Sequence, residues 1–238
     1  MKLQQYKNKV KRLITGHEAG LSFFSQGGED AILRSIFRKK LLAGEKGFYI
    51  DIGAYHPSDM SNTYFFYISG WRGINIDARP GSMKAFEMIR PEDINLEIGI
   101  GGKEEILTYY LIDERSTMNS FSKEFLVNTG MYNQVKQEIA IQVYPLKNIL
   151  DKYSGEFIKI DILNIDAEGL DMQIIESNDW KRFRPSVITI EMNCSTLNDV
   201  LENDAAKYIA ALGYNIVAKN VVVKEVATVI FADKNFDY

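Results

Sequence analysis

The chain has 238 residues, 46% of them hydrophobic and 25% charged, which is enough to bury one substantial core and reads as a soluble globular protein. A formal charge of −4 provides no overall basic field to hold a phosphate backbone, so nucleic acid is excluded as a first expectation and small molecules or neutral glycans take its place. Cys194 is the single cysteine, which rules out an intramolecular disulfide and a cysteine-rich zinc site and agrees with an expected cytoplasmic location.

Residues 1–16, MKLQQYKNKVKRLITG, carry Lys and Arg without an apolar core of signal-peptide length, and nowhere does a run of about 18 apolar residues occur that would span a bilayer. A solvated basic helix is expected there in preference to one grazing an anionic membrane. In DAILRSIFRKKLL (30–42) apolar residues recur three and four apart behind Ser25, Glu29 and Asp30, which suit a helix start, so residues 1–43 read as an N-terminal helical segment. Three runs rich in Ile and Tyr follow, GFYIDIGA (47–54), RGINIDA (72–78) and INLEIGIGG (94–102), separated by the helical compositions NTYFFYISGW (62–71) and SMKAFEMIR (82–90). That alternation predicts a parallel sheet with right-handed crossovers.

The stretch 105–145 is less regular. EILTYYLID, STMNSFS and QEIAIQVYPL predict an inserted hairpin or edge strands around a mobile loop. The pattern resumes with EFIKIDILNIDA (156–167), a helix near 170–178, the strand RPSVITIEMN (184–193) and a helix over 198–212 closed by Gly213. YNIVAKN and VVVKEVATVIFAD end the chain as two β-rich runs with no helix between them, and a connection that short joins only antiparallel strands.

Ligands of open α/β sheets sit beyond the carboxyl ends of the strands, which directs attention to the turn DIGAYHPS (51–58). A pyrophosphate wants several glycines for close backbone approach, and this turn has Gly53 alone. S-adenosylmethionine has no pyrophosphate, so an acid and one glycine suffice for it. Asp77 ends the next strand, where the ribose-binding acid of a βαβ nucleotide site belongs. Taken singly, Asp51 reads equally well as a turn cap and Asp77 as a strand end; together they point to a nucleoside.

The stretches SQGGEDAIL (25–33), GFYIDIGAYHPSDMSNTYFFYISGWRGINIDARPGS (47–82), LNIDAEGLDMQIIESNDW (163–180) and RPSVITIEMN (184–193) resemble, in order, the FkbM-type methyltransferases, a branch of the class I S-adenosylmethionine-dependent enzymes. Residues 1–20 and a region near 103–145 match poorly. The resemblance implies a single domain over 1–238 with a Rossmann-like class I methyltransferase fold: a seven-stranded, mostly parallel sheet with an antiparallel C-terminal hairpin and helices on both faces. It makes 103–145 an inserted substrate-side region. It implies that Asp51, Gly53 and Ala54 border the methionine end of the cofactor, that Ser61, Asn62 and Thr63 lie near its carboxylate, that Asp77, followed by Ala78, takes the ribose hydroxyls, and that Asp166 faces the methyl group or its acceptor.

Methyl transfer to a hydroxyl is an in-line displacement, so the protein must align the reactants and help to remove a proton. Candidates are the acids of NIDAEGLD, Asp166, Glu168 and Asp171, with Glu191 and Asn193 at the next strand end, and His56. His56 is weighed equally as a base and as a turn histidine before Pro57. Asp166, Glu191 and Asn193 have the oxygen ligands for a magnesium ion, yet caps and hydroxyl anchors without metal are the preferred reading. Ser25, Gln26, Glu29 and Asp30 suit a cofactor lid or a capped helix, and only Gln26 is superfluous to a cap. Tyr109, Tyr110, Tyr132 and Tyr144 read as core in preference to a sugar-stacking face, and Trp71 and Arg72 as locks between helix and sheet. The expected activity is O-methylation of a small hydroxylated acceptor, a sugar of a polysaccharide or glycolipid or a secondary metabolite, that class being lent by the family. The alternatives are a nicotinamide-dependent oxidoreductase, against which the lone glycine and the missing Tyr/Lys pair argue, and a non-catalytic glycan-binding protein of the same fold.

Overall fold

The computed structural model describes residues 22–153, 155 and 159–238; the expected basic helix within 1–16 and part of the run 156–167 lie outside them. Helices α1 (Glu29–Ile36) and α2 (Arg38–Leu42) lead into β1 (Phe48–Ile52), α3 (Tyr64–Ile68), β2 (Arg72–Ile76), α4 (Met83–Ile89) and β3 (Ile94–Leu96). A second group follows: β4 (Gly99–Gly101), β5 (Glu105–Leu111), α5 (Lys123–Asn128), β6 (Gln137–Pro145) and α6 (Leu146–Tyr153). The chain closes with β7 (Ile162–Ile165), α7 (Asp171–Glu176), β8 (Val187–Asn193), α8 (Leu197–Glu202), α9 (Asp204–Ala211), β9 (Tyr214–Val223) and β10 (Val226–Asp233).

Seven strands form one sheet in the order β3-β2-β1-β7-β8-β10-β9. All pairs are parallel except those of β10, which runs antiparallel to both β8 and β9. The fold class is the one expected. Because both faces are covered, the central strands are nearly continuous apolar runs. On one face Tyr49, Ile162, Val187 and Ile230 pack on Leu33, Phe65 and Phe66 from the first helices, on Phe37 between α1 and α2, and on Trp71 just before β2. On the other, Ile50, Ile74, Leu163 and Ile188 meet Ile149, Ile174 and Ile209.

Four details differ from the expectation. INLEIGIGG is two strands: β3 joins the large sheet, whereas β4 pairs with β6 in a three-stranded sheet of order β4-β6-β5. The glycines permit that change, since a Cβ at Gly99 or Gly101 would lie 2.7 or 2.8 Å from the Val143 side chain. The helix over 198–212 breaks at Asn203, whose side chain accepts hydrogen bonds from the amides of Ala205 and Ala206 and so starts α9. Residues 221–223 belong to β9, the hairpin turning only at Lys224 and Glu225. The helical run 30–42 is two helices meeting at Phe37, whose ring is buried against Phe66 and Trp71. No helix among the described residues is long and apolar enough to cross a membrane.

Candidate active site

At the carboxyl ends of β1, β2, β7 and β8 opens a cavity of about 280 Å³. Ile52, Gly53, Ile76 and Asp77 line its floor, Asp166, Glu168 and Glu191 one side, and residues 116–121, between β5 and α5, its roof. Gln26 and the hairpin residues Val222, Val223 and Val226 edge it.

Gly53 has a φ of 74°, and a Cβ there would lie 1.7 Å from the carbonyl oxygen of Asp166. Only glycine lets the turns after β1 and β7 approach this closely, which holds Asp166 at the cavity. The amides of Gly53 and Ala54 both donate to the carbonyl of Ile76, at 2.9 and 3.0 Å. This turn therefore has no amides left over for a phosphate. Ala54 itself packs with Met83 and Phe86, away from the cavity lining, whereas Ala78 lines it.

Asp77 is 9% exposed. Its Oδ2 accepts the amide of Tyr55 (2.9 Å) and its Oδ1 that of Arg79 (2.8 Å), which orients the carboxylate at the cavity wall. Burial raises its pKa, and the bonds from Arg79 and Tyr55 oppose that shift.

Asp51, Ser61, Asn62 and Thr63 sit beneath the cavity and do not line it. Asp51 stands in one row across five strands, in register with Asn75 and Asn95 on one side and with Asn164 and Thr189 on the other. Its carboxylate accepts from Thr63 Oγ1 (2.5 Å) and Asn164 Nδ2 (2.9 Å), and Asn62 Nδ2 donates to Asn164 Oδ1 (2.8 Å). Arg90, completely buried, donates to Ser61 Oγ, Thr63 Oγ1, Asn75 Oδ1 and the carbonyl of Pro57. These contacts differ from the expectation for the four residues: Asp51, Ser61 and Thr63 bond within a buried network that stiffens the floor, and half-buried Asn62 joins it through its Nδ2. Arg90 was not legible in the sequence, because only the folded chain brings it under the turn.

Asp166, Glu168 and Glu191 each present a carboxylate oxygen within 4.8 Å of the others. Burial, then Glu191 and Glu168, raise the Asp166 carboxyl well above the usual range. Burial and the neighbouring Glu191 push Glu168 up to about 9, and burial followed by Asp171 and Glu29 push Glu191 up to about 7. Glu168 has a φ of 47°, and its carbonyl accepts the Ser120 hydroxyl (2.5 Å), which ties the acidic turn to the roof. Asp171 is a loop anchor, accepting the amides of Ala167 and Gly169.

Asn193 and His56 stand apart from the cavity, His56 in the turn arrangement that was weighed equally with the base. Asn193 is exposed and outside the group of oxygens, where Glu168 takes the place expected for it. His56 is not in the cavity wall: its Nδ1 accepts the amides of Ser58 (3.3 Å) and Asp59 (3.0 Å), the turn arrangement, which spends the lone pair a base would need. Tyr109 of β5, read from sequence as core, is 6% exposed yet lines the cavity. Burial, then Asp77, raise its pKa against the opposing pull of Arg79, so its phenol stays protonated and can donate.

The family model described as methyltransferase FkbM domain matches residues 51–216. No curated protein matches the chain. Among solved structures, the chain is similar to the methyltransferase FkbM from Methylobacillus flagellatus KT, with 13% identity and a TM-score of 0.49. That match covers 78% of this chain and 43% of the other, so this chain spans less than half of that structure's length. It is also similar to an O-methyltransferase from Bacillus cereus in complex with SAH, with 10% identity and a TM-score of 0.41 over 96% of this chain and 91% of that one. A third is the 1,6-didemethyltoxoflavin-N1-methyltransferase from Burkholderia thailandensis, with 12% identity and a TM-score of 0.43 over 97% and 88%.

Proposed function

The chain belongs to the methyltransferase FkbM domain family, and from that premise we propose that it moves the methyl group of S-adenosylmethionine to a hydroxyl of a small acceptor, a sugar of a polysaccharide or glycolipid or a secondary metabolite. The observation that carries the cofactor is the turn at Gly53: its amides are spent on Ile76, and the cavity beside it is walled by carboxylates. A diphosphate meets no free Gly53 or Ala54 amide at that turn, which disfavours a nicotinamide nucleotide. A sulfonium nucleoside needs no such amide cradle and meets the Asp77 carboxylate as an acceptor for its ribose. The cavity lies near the lower end of small-ligand sites, about 300 Å³.

S-adenosylmethionine supplies, when bound, a methyl group on a positively charged sulfur. Asp77 accepts the ribose hydroxyls while Ala78 and Ile76 offer apolar surface beside it. Glu168, held protonated, and the Tyr109 phenol donate to acceptor oxygens and orient the nucleophile. Glu191, with its pKa near neutrality, removes the hydroxyl proton as a general base.

Calorimetry with S-adenosylhomocysteine and NAD tests the cofactor, and methyl transfer to a panel of free sugars tests the acceptor. Tighter binding of NAD would overturn the reading, and cofactor binding without turnover on any hydroxylated acceptor would favour a non-catalytic glycan binder. A base is active when ionised, so a pKa raised to about 7 means that kcat climbs as pH increases through about 7. Glu191→Gln is expected to remove that limb; a profile identical to wild type would dismiss Glu191 as the base. The three carboxylates are read as holding hydroxyls, so turnover is expected to survive EDTA; loss of activity with rescue by magnesium would reassign them as cation ligands.

A further inference from the structure

The roof over the cavity is fastened at one end by the two residues that the floor holds through Asp77. The Asp77 carboxylate fixes the amides of Tyr55 and Arg79, and the side chains of the same residues reach up to the segment 113–121. Tyr55 Oη donates to the carbonyl of Arg115 (2.9 Å), and Arg79 donates to the carbonyls of Glu114 (2.6 Å) and Tyr55 (3.0 Å). Tyr55 adopts a φ of 52°, in the left-handed region that costs a non-glycine residue about 1 kcal/mol or more. That conformation is retained where its ring lies beside the Arg79 guanidinium, 5.9 Å from it.

The segment is bonded to itself. Asn119 accepts the amide of Ile112 (2.7 Å) and donates to the carbonyls of Asp113 (2.8 Å) and Ser116 (2.9 Å), which makes it a compact knot. Its far end is tied by Ser120 to Glu168. Fastened at the nucleoside side and at the acidic side, it spans the cavity, and Glu114 and Arg115, where Tyr55 and Arg79 grip it, are exposed.

We propose that Tyr55 and Arg79 are positioning residues that latch segment 113–121 shut, and that a nucleoside gripped by Asp77 tightens the latch. The ligand part rests on the reading of the cavity as an S-adenosylmethionine site. A diol on Asp77 holds the carboxylate, the carboxylate holds the two amides, and the side chains behind those amides hold the roof. Coupling of this kind is reciprocal, so a fastened roof also slows the escape of whatever Asp77 holds.

Hydrogen exchange on the ligand-free protein tests the latch. Arg79→Ala is expected to speed exchange across 113–121 about tenfold, the worth of a charge-assisted bond, with Tyr55→Phe showing a smaller rise and Arg79→Lys a partial recovery. In the wild type, S-adenosylhomocysteine should slow exchange in the same segment. Arg79→Ala should release it about tenfold faster and raise KM for the cofactor about tenfold, with kcat within about twofold. Unchanged exchange at 113–121 in both Arg79→Ala and Tyr55→Phe overturns the proposal, as does wild-type protein that binds S-adenosylhomocysteine without slowing there. Should the wild type bind no S-adenosylhomocysteine, the functional reading and the coupling to Asp77 fall together, and the ligand-free comparison alone decides whether the latch exists.

Discussion

Asp77→Ala is expected to weaken S-adenosylhomocysteine binding by about a hundredfold or more, read by calorimetry, while the protein remains folded by circular dichroism. The carboxylate does two things at once: it lines the cavity, and it holds the amides of Tyr55 and Arg79 at 2.9 and 2.8 Å. Removing it costs the bonds to the ribose, about 1.5–3 kcal/mol for hydrogen bonds to a charged group, and leaves two amides to be resatisfied. About 3 kcal/mol in total corresponds to roughly a hundredfold in affinity. Asp77→Asn should lie between the two, because its amide carbonyl replaces one acceptor and its NH₂ opposes the other donor. Wild-type affinity in Asp77→Ala would place the nucleoside elsewhere.

Gly53→Ala is expected to cost about 3 kcal/mol or more of stability, which for a chain of this size lowers Tm by about 6 °C or more. Two penalties add. The backbone has a φ of 74°, and the new methyl group would sit 1.7 Å from the Asp166 carbonyl oxygen, far inside contact distance. Relief requires the turns after β1 and β7 to separate, and Asp166 leaves the cavity with its turn, so turnover should fall with stability. A variant melting within about 2 °C of wild type would show that the close approach is not needed.

Alternation of apolar and helical runs was readable because each obeys a local period, and it led to the right sheet with its antiparallel end. That Gly53 and Asp77 would line a cavity was readable because strand ends in such a sheet converge on one place. Boundaries were less legible: INLEIGIGG looks like one strand until Gly99 and Gly101 are seen under Val143, and the helix over 198–212 looks continuous until Asn203 turns inward to cap α9. Leu146, Ile149 and Leu150, at helical spacing and buried, carried a signal for α6 that the strand before it obscured.

By itself the sequence determined the architecture, the cavity's place at the carboxyl edge and the acids Asp166, Glu168 and Glu191 that approach it, since periodicity and chain order are local properties. Tertiary structure alone decided which polar groups remain available to a ligand. Asp51 and Thr63 were drawn into the Arg90 network, His56 was spent on two backbone amides, and Tyr109 and the Arg79 latch were brought to the cavity from elsewhere in the chain. The reason is physical: a side chain's chemistry is set by what its last lone pair or proton faces, and that partner can lie more than a hundred residues away, as Asn164 does from Asp51.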